Sequence, residues 1–115
     1  MARTICVVED NAIVRLDAVV LLEEAGFDVV DFASADKAFP YLAEHAADVA
    51  MVFTDVRLPG QLDGIALAQR AAASWPWMKL VVTSGTNSAA LKQMPPTATF
   101  LPKPWLPTEL LARAG

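Results

Sequence analysis

The chain has 115 residues, 55% of them hydrophobic and 19% charged, with a formal net charge of −4 and a sequence pI near 4.7. That is the length of one domain, 1–115, long enough to bury a core and too apolar for a disordered chain. The acidic balance argues against direct nucleic-acid binding, which needs clustered Lys and Arg against phosphate. The apolar runs are short and broken by charges, none near the ~20 residues of a bilayer span, so no membrane contact is expected. Met1-Ala2-Arg3-Thr4 has no cleavage-site pattern. A lone Cys6 fits a reducing compartment, and the expected location is cytoplasmic.

Thr4–Val8 reads as a buried strand that ends in two acids, Glu9 and Asp10. Asn11 suits the N-cap of a helix to Ala25, with Val14, Ala18, Leu21, Leu22 and Ala25 on one face and Gly26 as its stop. Ile13, Leu16 and Val20 form a second apolar patch on the outer side of that helix. Phe27–Phe32 alternates and suits an edge strand. Ser34 can cap a second helix with Asp36 in its first turn; Pro40 should kink that helix or delay its start.

Val49–Thr54 is a third apolar run, closed by Asp55 and followed by Pro59 and Gly60. Asp63-Gly64 opens a third helix, on which Ile65, Ala68, Ala72 and Trp75 align, and Pro76 ends it. Met78–Thr83 is a fourth strand ending at Ser84-Gly85. A short helical stretch from Ser88 to Met94 stops at Pro95-Pro96. Ala98–Leu101 is a fifth strand, Pro102–Trp105 a loop, and Thr108 the cap of a last helix.

Five strands alternating with five helices predict a doubly wound α/β domain with a parallel five-stranded sheet, flavodoxin-like, in the order 2-1-3-4-5. In such sheets ligand chemistry collects beyond the carboxyl ends of the strands. Asp55 stands at such an end, where a carboxylate serves as metal ligand, nucleophile or helix cap. In this order the first and third strands are neighbours, so Glu9, Asp10 and Asp55 converge. Three carboxylates so close need a compensating cation. Oxygen donors without nearby His or Cys favour Mg²⁺ over zinc. Ser84 and Lys103, at the ends of the fourth and fifth strands, suit the oxygens of a phosphoryl group.

The set Glu9-Asp10, Asp55, Ser84 and Lys103-Pro104 resembles the receiver domain of two-component response regulators, the chemotaxis-regulator fold, over essentially the whole chain. The loop after Asp55, together with Thr83-Ser84-Gly85, is similar to single-domain alphaproteobacterial-type receivers. The resemblance implies that Asp55 is the phosphoacceptor, taking a phosphoryl group from a sensor histidine kinase or a phosphotransfer protein. It implies that Glu9, Asp10, Asp55 and the backbone carbonyl of Arg57 hold Mg²⁺, and that Ser84 and Lys103 hold phosphoryl oxygens. Phe100 takes the place of the family's aromatic switch residue, coupled to Ser84.

Four features depart from the family pattern. The loop from Leu58 to Gly64 is one residue longer, the segment between Ser84 and Lys103 is shorter, Trp105 replaces Phe or Tyr, and the last helix is stubby. The outer patch Ile13, Leu16 and Val20 is either packing surface or a kinase-docking surface. Other readings are a small Mg²⁺-dependent aspartyl-phosphate phosphatase, a pseudo-receiver interaction module, and a flavodoxin-like cofactor binder. Arg57, where such phosphatases carry a second Asp, counts against the first. The converging acids count against the second, and against the third because they repel phosphate.

Overall fold

The computed structural model of the chain describes residues 3–85 and 89–115. Five strands, β1 (Thr4–Val8), β2 (Asp28–Phe32), β3 (Val49–Asp55), β4 (Lys79–Ser84) and β5 (Ala98–Pro102), form one parallel sheet in the order β2-β1-β3-β4-β5. The expected topology is therefore found, with β2 at an edge. Among the described residues four α-helices accompany it: α1 (Ala12–Glu24), α2 (Ala35–His45), α3 (Gly64–Ser74) and α4 (Pro107–Ala114).

The fifth expected helix is not an α-helix over its described residues. Ala89–Gln93 forms a 3-10 helix instead, and a second 3-10 turn covers Ala46–Asp48. Pro95-Pro96 forbids continuation, and no residue of the Ala89–Gln93 turn is fully buried to repay the ordering of a longer helix. Ser88, expected at the start of that helix, lies outside the described residues.

The strand alternation divides the core between two faces. Cys6 and Val8 point with Val52 and Leu80 toward Ala38 and Leu42 of α2 and Leu67 and Ala71 of α3. Ile5 and Val7 point the other way, with Met51, Phe53, Val81 and Leu101, toward Ala18 and Leu22 of α1 and Leu110 of α4. Each fully buried Leu, Ile or Val stabilises by about 1.5–3 kcal/mol. This two-sided cover is why the strands read as continuous apolar runs rather than alternating ones.

Local chemistry explains most boundaries. Asn11 Oδ1 accepts from the amides of Ile13 and Val14, and so caps α1 as expected. Gly26 takes φ +97° just past the C-cap Ala25, the left-handed step that ends a helix. Ala25, expected on the buried face, is exposed because it is already the cap. Ser34 Oγ caps α2 through the Lys37 amide. α2 begins directly after Ser34 and runs through Pro40, so the expected delay does not occur. On α3, Ile65 and Ala68 are buried as read, joined by Leu67 and Ala71, because that helix packs on the sheet over a wide stripe. Ala72 and Trp75 are only half-buried. The last helix starts one residue after Leu106, not at Thr108. The Leu106 amide donates to Glu109 Oε1 at 2.7 Å, and Pro107 fits the first helical position, where no amide partner is needed.

Candidate functional site

The carboxyl ends of β1 and β3 lie side by side, since Val8 pairs with Thr54 across the sheet. Glu9 and Asp55 are both buried, whereas Asp10 is exposed. One carboxylate oxygen of each of the three lies within 4.8 Å of the others. From the far side Lys103 reaches in. Its Nζ donates to Glu9 Oε1 at 2.5 Å and to Asp55 Oδ2 at 2.8 Å. It can do so because β5 pairs with β4 and the Lys103 amide donates to the Ser84 carbonyl at 3.0 Å, which fixes where the loop leaves the sheet.

The charges respond to this packing. Burial pushes the Glu9 carboxyl above its ordinary value, reinforced by the Asp55 charge and partly offset by Lys103 and the Asn11 amide. For Lys103, burial acts to lower the pKa. The hydrogen bonds and charges of Asp55 and Glu9 together outweigh it and hold the ammonium above its ordinary value. The lysine is thus a fixed internal cation for two of the three acids. Asp10 makes no ion pair among the described residues.

Close packing under Asp55 explains the Asp63-Gly64 pair. Asp63 Oδ1 caps α3 through the Ala66 amide at 2.7 Å. A Cβ on Gly64 would fall 1.7 Å from the Asp55 carbonyl oxygen, so only glycine lets α3 start this near β3. The Gly64 amide donates to the Val56 carbonyl at 2.9 Å. Arg57 is exposed, and its amide makes only a long 3.4 Å contact with Asp55 Oδ1. Ser84 is buried at the end of β4, and Phe100 is half-buried opposite Val82. Five of the expected positions, Glu9, Asp10, Asp55, Ser84 and Lys103, thus stand at the same edge of the sheet.

Three features have no counterpart in the reading of the sequence. Arg15 Nη1 donates to the Glu9 carbonyl at 2.8 Å while its Nε pairs with Asp31, tying α1 to the acidic turn and to β2. Trp105 sets its ring edge against Phe53, with centroids 5.8 Å apart, and so turns its apolar bulk inward. Both oxygens of Asp36 accept amides of the loop after Asp55, from Gln61 and Leu62. Only the placement of an Arg one and a half turns beyond Glu9-Asp10 offered a hint of the first; the other two join residues far apart in sequence.

A family model for the response regulator receiver domain matches residues 5–114. The chain belongs to the response regulator receiver domain family. It is 32% identical over 106 residues to the response regulator receiver protein CpdR of Brucella abortus, covering 90% of this chain and 86% of that one. It is 32% identical over 105 residues to the sensor kinase CckA of the same organism, and 36% identical over 84 residues to the transcriptional regulatory protein PhoP of Escherichia coli K12. The chain spans 11% of the first and 36% of the second, and 89% and 73% of its own length is covered. Among solved structures, the response regulator receiver protein of Sinorhizobium medicae superposes with a TM-score of 0.90 at 32% identity, over 98% of this chain and 91% of that one. The receiver is a signalling module of two-component systems, and the acidic cluster is where its fold concentrates oxygen donors. No helix among the described residues is long and apolar enough to cross a membrane.

Proposed function

We propose that the chain is a phosphoryl-accepting switch whose acceptor is the carboxylate of Asp55. The observation that carries this is the convergence on Asp55, at a strand end, of Glu9, Asp10 and the Lys103 ammonium. A carboxylate oxygen of Asp55 attacks phosphorus of a phosphohistidine, the phosphorus–nitrogen bond breaks, and the imidazole leaves with a proton from solvent. The product is an aspartyl phosphate. The donor is a sensor histidine kinase or a phosphotransfer protein.

The donor set fits a hard divalent cation: the carboxylates of Glu9, Asp10 and Asp55 cluster together, and the Arg57 carbonyl would complete the protein ligands. Mg²⁺ bound there would neutralise charge on the phosphoryl oxygens. The residues themselves do the rest. Lys103 holds one phosphoryl oxygen by exchanging its carboxylate partners for it, and Ser84 holds another through its hydroxyl. Ser84 and Phe100 then carry the change to the outer surface by moving together. The domain is a switch that catalyses its own phosphorylation and dephosphorylation, not a metabolic enzyme. It acts in the cytoplasm without direct contact to nucleic acid, and 1–115 works as one receiver unit.

For docking, Ile13, Leu16 and Val20 are the favoured surface. They are 75%, 61% and 43% exposed on α1. Beside them runs a groove of about 520 Å³ between α1 and the start of α4, lined by Leu16, Val20, Leu21, Trp105 and Pro107 among others. An apolar stripe next to the acidic site suits the helical bundle that carries a phosphohistidine. Phosphotransfer profiling against purified histidine kinases tests the reading. Rapid Mg²⁺-dependent transfer from one of them is expected; no transfer from any kinase and no labelling by acetyl phosphate would refute it.

A further inference from the structure

The loop that follows Asp55 has no secondary structure of its own between Val56 and Asp63. Such a loop should be loose. Yet its middle is held from the side by α2. Asp36 Oδ2 accepts the Gln61 amide at 2.8 Å and Oδ1 accepts the Leu62 amide at 2.8 Å. Two short charge-assisted bonds to consecutive amides fix both position and orientation of a backbone segment. Gly60 sits directly on this carboxylate at φ +97°, and a Cβ there would lie 2.2 Å from Asp36 Oδ2. The chain can approach only because residue 60 is glycine and turns into the left-handed region.

Asp36 is therefore more than an acid in the first turn of α2. That helix already has its cap in Ser34, so the Asp36 carboxylate is free to serve the loop. The loop's far end is fixed by Gly64 packed on the Asp55 carbonyl and bonded to Val56. Arg57, whose carbonyl is the proposed backbone ligand of the metal, lies between Val56, which the Gly64 amide holds, and Gln61, which Asp36 holds. The two amide bonds also hold the Asp36 carboxyl below its ordinary value, so the accepting, ionised form is the one present at neutral pH.

We propose that Asp36 is a positioning residue for the metal side of the phosphoacceptor site, holding the loop after Asp55 so that the Arg57 carbonyl faces the carboxylate cluster. This rests on the reading of that cluster as a Mg²⁺ site. Outer residues that orient metal ligands typically affect affinity by 10–100-fold.

The test is Mg²⁺ binding by calorimetry on the intact chain, without any phosphodonor. Asp36→Ala and the milder Asp36→Asn are compared with Ser34→Ala, which removes the α2 cap but leaves the loop. Both Asp36 variants should weaken Mg²⁺ by roughly 10–100-fold. The labelling rate by acetyl phosphate at saturating Mg²⁺ should stay near wild type, and amide exchange at Gln61 and Leu62 should quicken. Ser34→Ala should lower the melting temperature without moving Mg²⁺ affinity. If Asp36→Asn is folded and binds Mg²⁺ as wild type does, or if Ser34→Ala weakens Mg²⁺ equally, the positioning role is wrong. Failure of the metal-site reading itself would look different: wild type would bind no Mg²⁺, and Asp10→Asn would change nothing.

Discussion

The ammonium of Lys103 stands 2.8 Å from Asp55 Oδ2, joining the loop after β5 to the end of β3 across 48 residues of sequence. The same nitrogen touches Glu9 at 2.5 Å. In the metal-free protein this one cation balances two buried acids. Removing it leaves both without a cationic partner, and burial already disfavours the Glu9 charge. Lys103→Ala should destabilise the metal-free protein by about 2–3 kcal/mol, with saturating Mg²⁺ restoring part of the loss. Urea unfolding with and without Mg²⁺ measures this. Equal stability of variant and wild type without metal would contradict the internal-cation role.

Asp10 behaves in the opposite sense. It is exposed, close to Glu9 and Asp55, and outside the reach of the lysine's two bonds. Its charge adds repulsion without a partner. Asp10→Asn should raise the metal-free melting temperature by a few degrees, on the order of 1 kcal/mol, while weakening Mg²⁺ at least ten-fold. Thermal melts in chelator and in Mg²⁺ read both effects. A lower metal-free melting temperature would mean that the three acids do not repel one another.

The α1 stripe gives a prediction that separates docking from packing. Leu16 and Val20 project beside the groove toward Trp105 and are not part of either core face. Leu16→Glu and Val20→Glu should slow transfer from a cognate kinase by roughly ten-fold or more, the loss of one or two apolar anchors. Labelling by acetyl phosphate, which needs no docking, should be unchanged. Equal loss in both assays would mean that the stripe supports the fold.

How far the site was legible follows from which residues are local. Glu9, Asp10 and Asp55 each end an apolar run, and strand order alone brings them together. The helix caps Asn11, Ser34 and Asp63 were readable because a cap and the amides it holds lie within three residues. Asp36 was readable only as a first-turn acid, since its true partners are 25 and 26 residues away. The pairing of Arg15 with Asp31 was not legible for the same reason, since the two are 16 residues apart. The stretch before Pro95 was misjudged as α-helix because periodicity does not report how little of it would be buried. The start of α4 was misplaced because Thr108 has the composition of a cap, while the Glu109 carboxylate performs the role from within the helix.

The acid limb of stability should carry the mark of Asp36. Its folded pKa is depressed by the Gln61 and Leu62 amides, against an ordinary value of about 3.9. A depressed carboxyl contributes stability above its unfolded pKa and loses it as pH falls through the folded value. Wild type should therefore exceed Asp36→Asn in stability at neutral pH. The gap should hold down to about pH 4 and close below it. Urea midpoints between pH 7 and pH 3 test the sign. A gap that widened on acidification would contradict the bonds to the loop.

The central claim is that Asp55 is the acceptor. The most direct measurement is intact-mass spectrometry after incubation with acetyl phosphate and Mg²⁺, on wild type and on Asp55→Asn, with circular dichroism to establish that both are folded. Wild type should gain one phosphoryl adduct that disappears in mild alkali, as an acyl phosphate does. Folded Asp55→Asn should gain none. An undiminished adduct on that variant would place the chemistry on another residue and contradict the account.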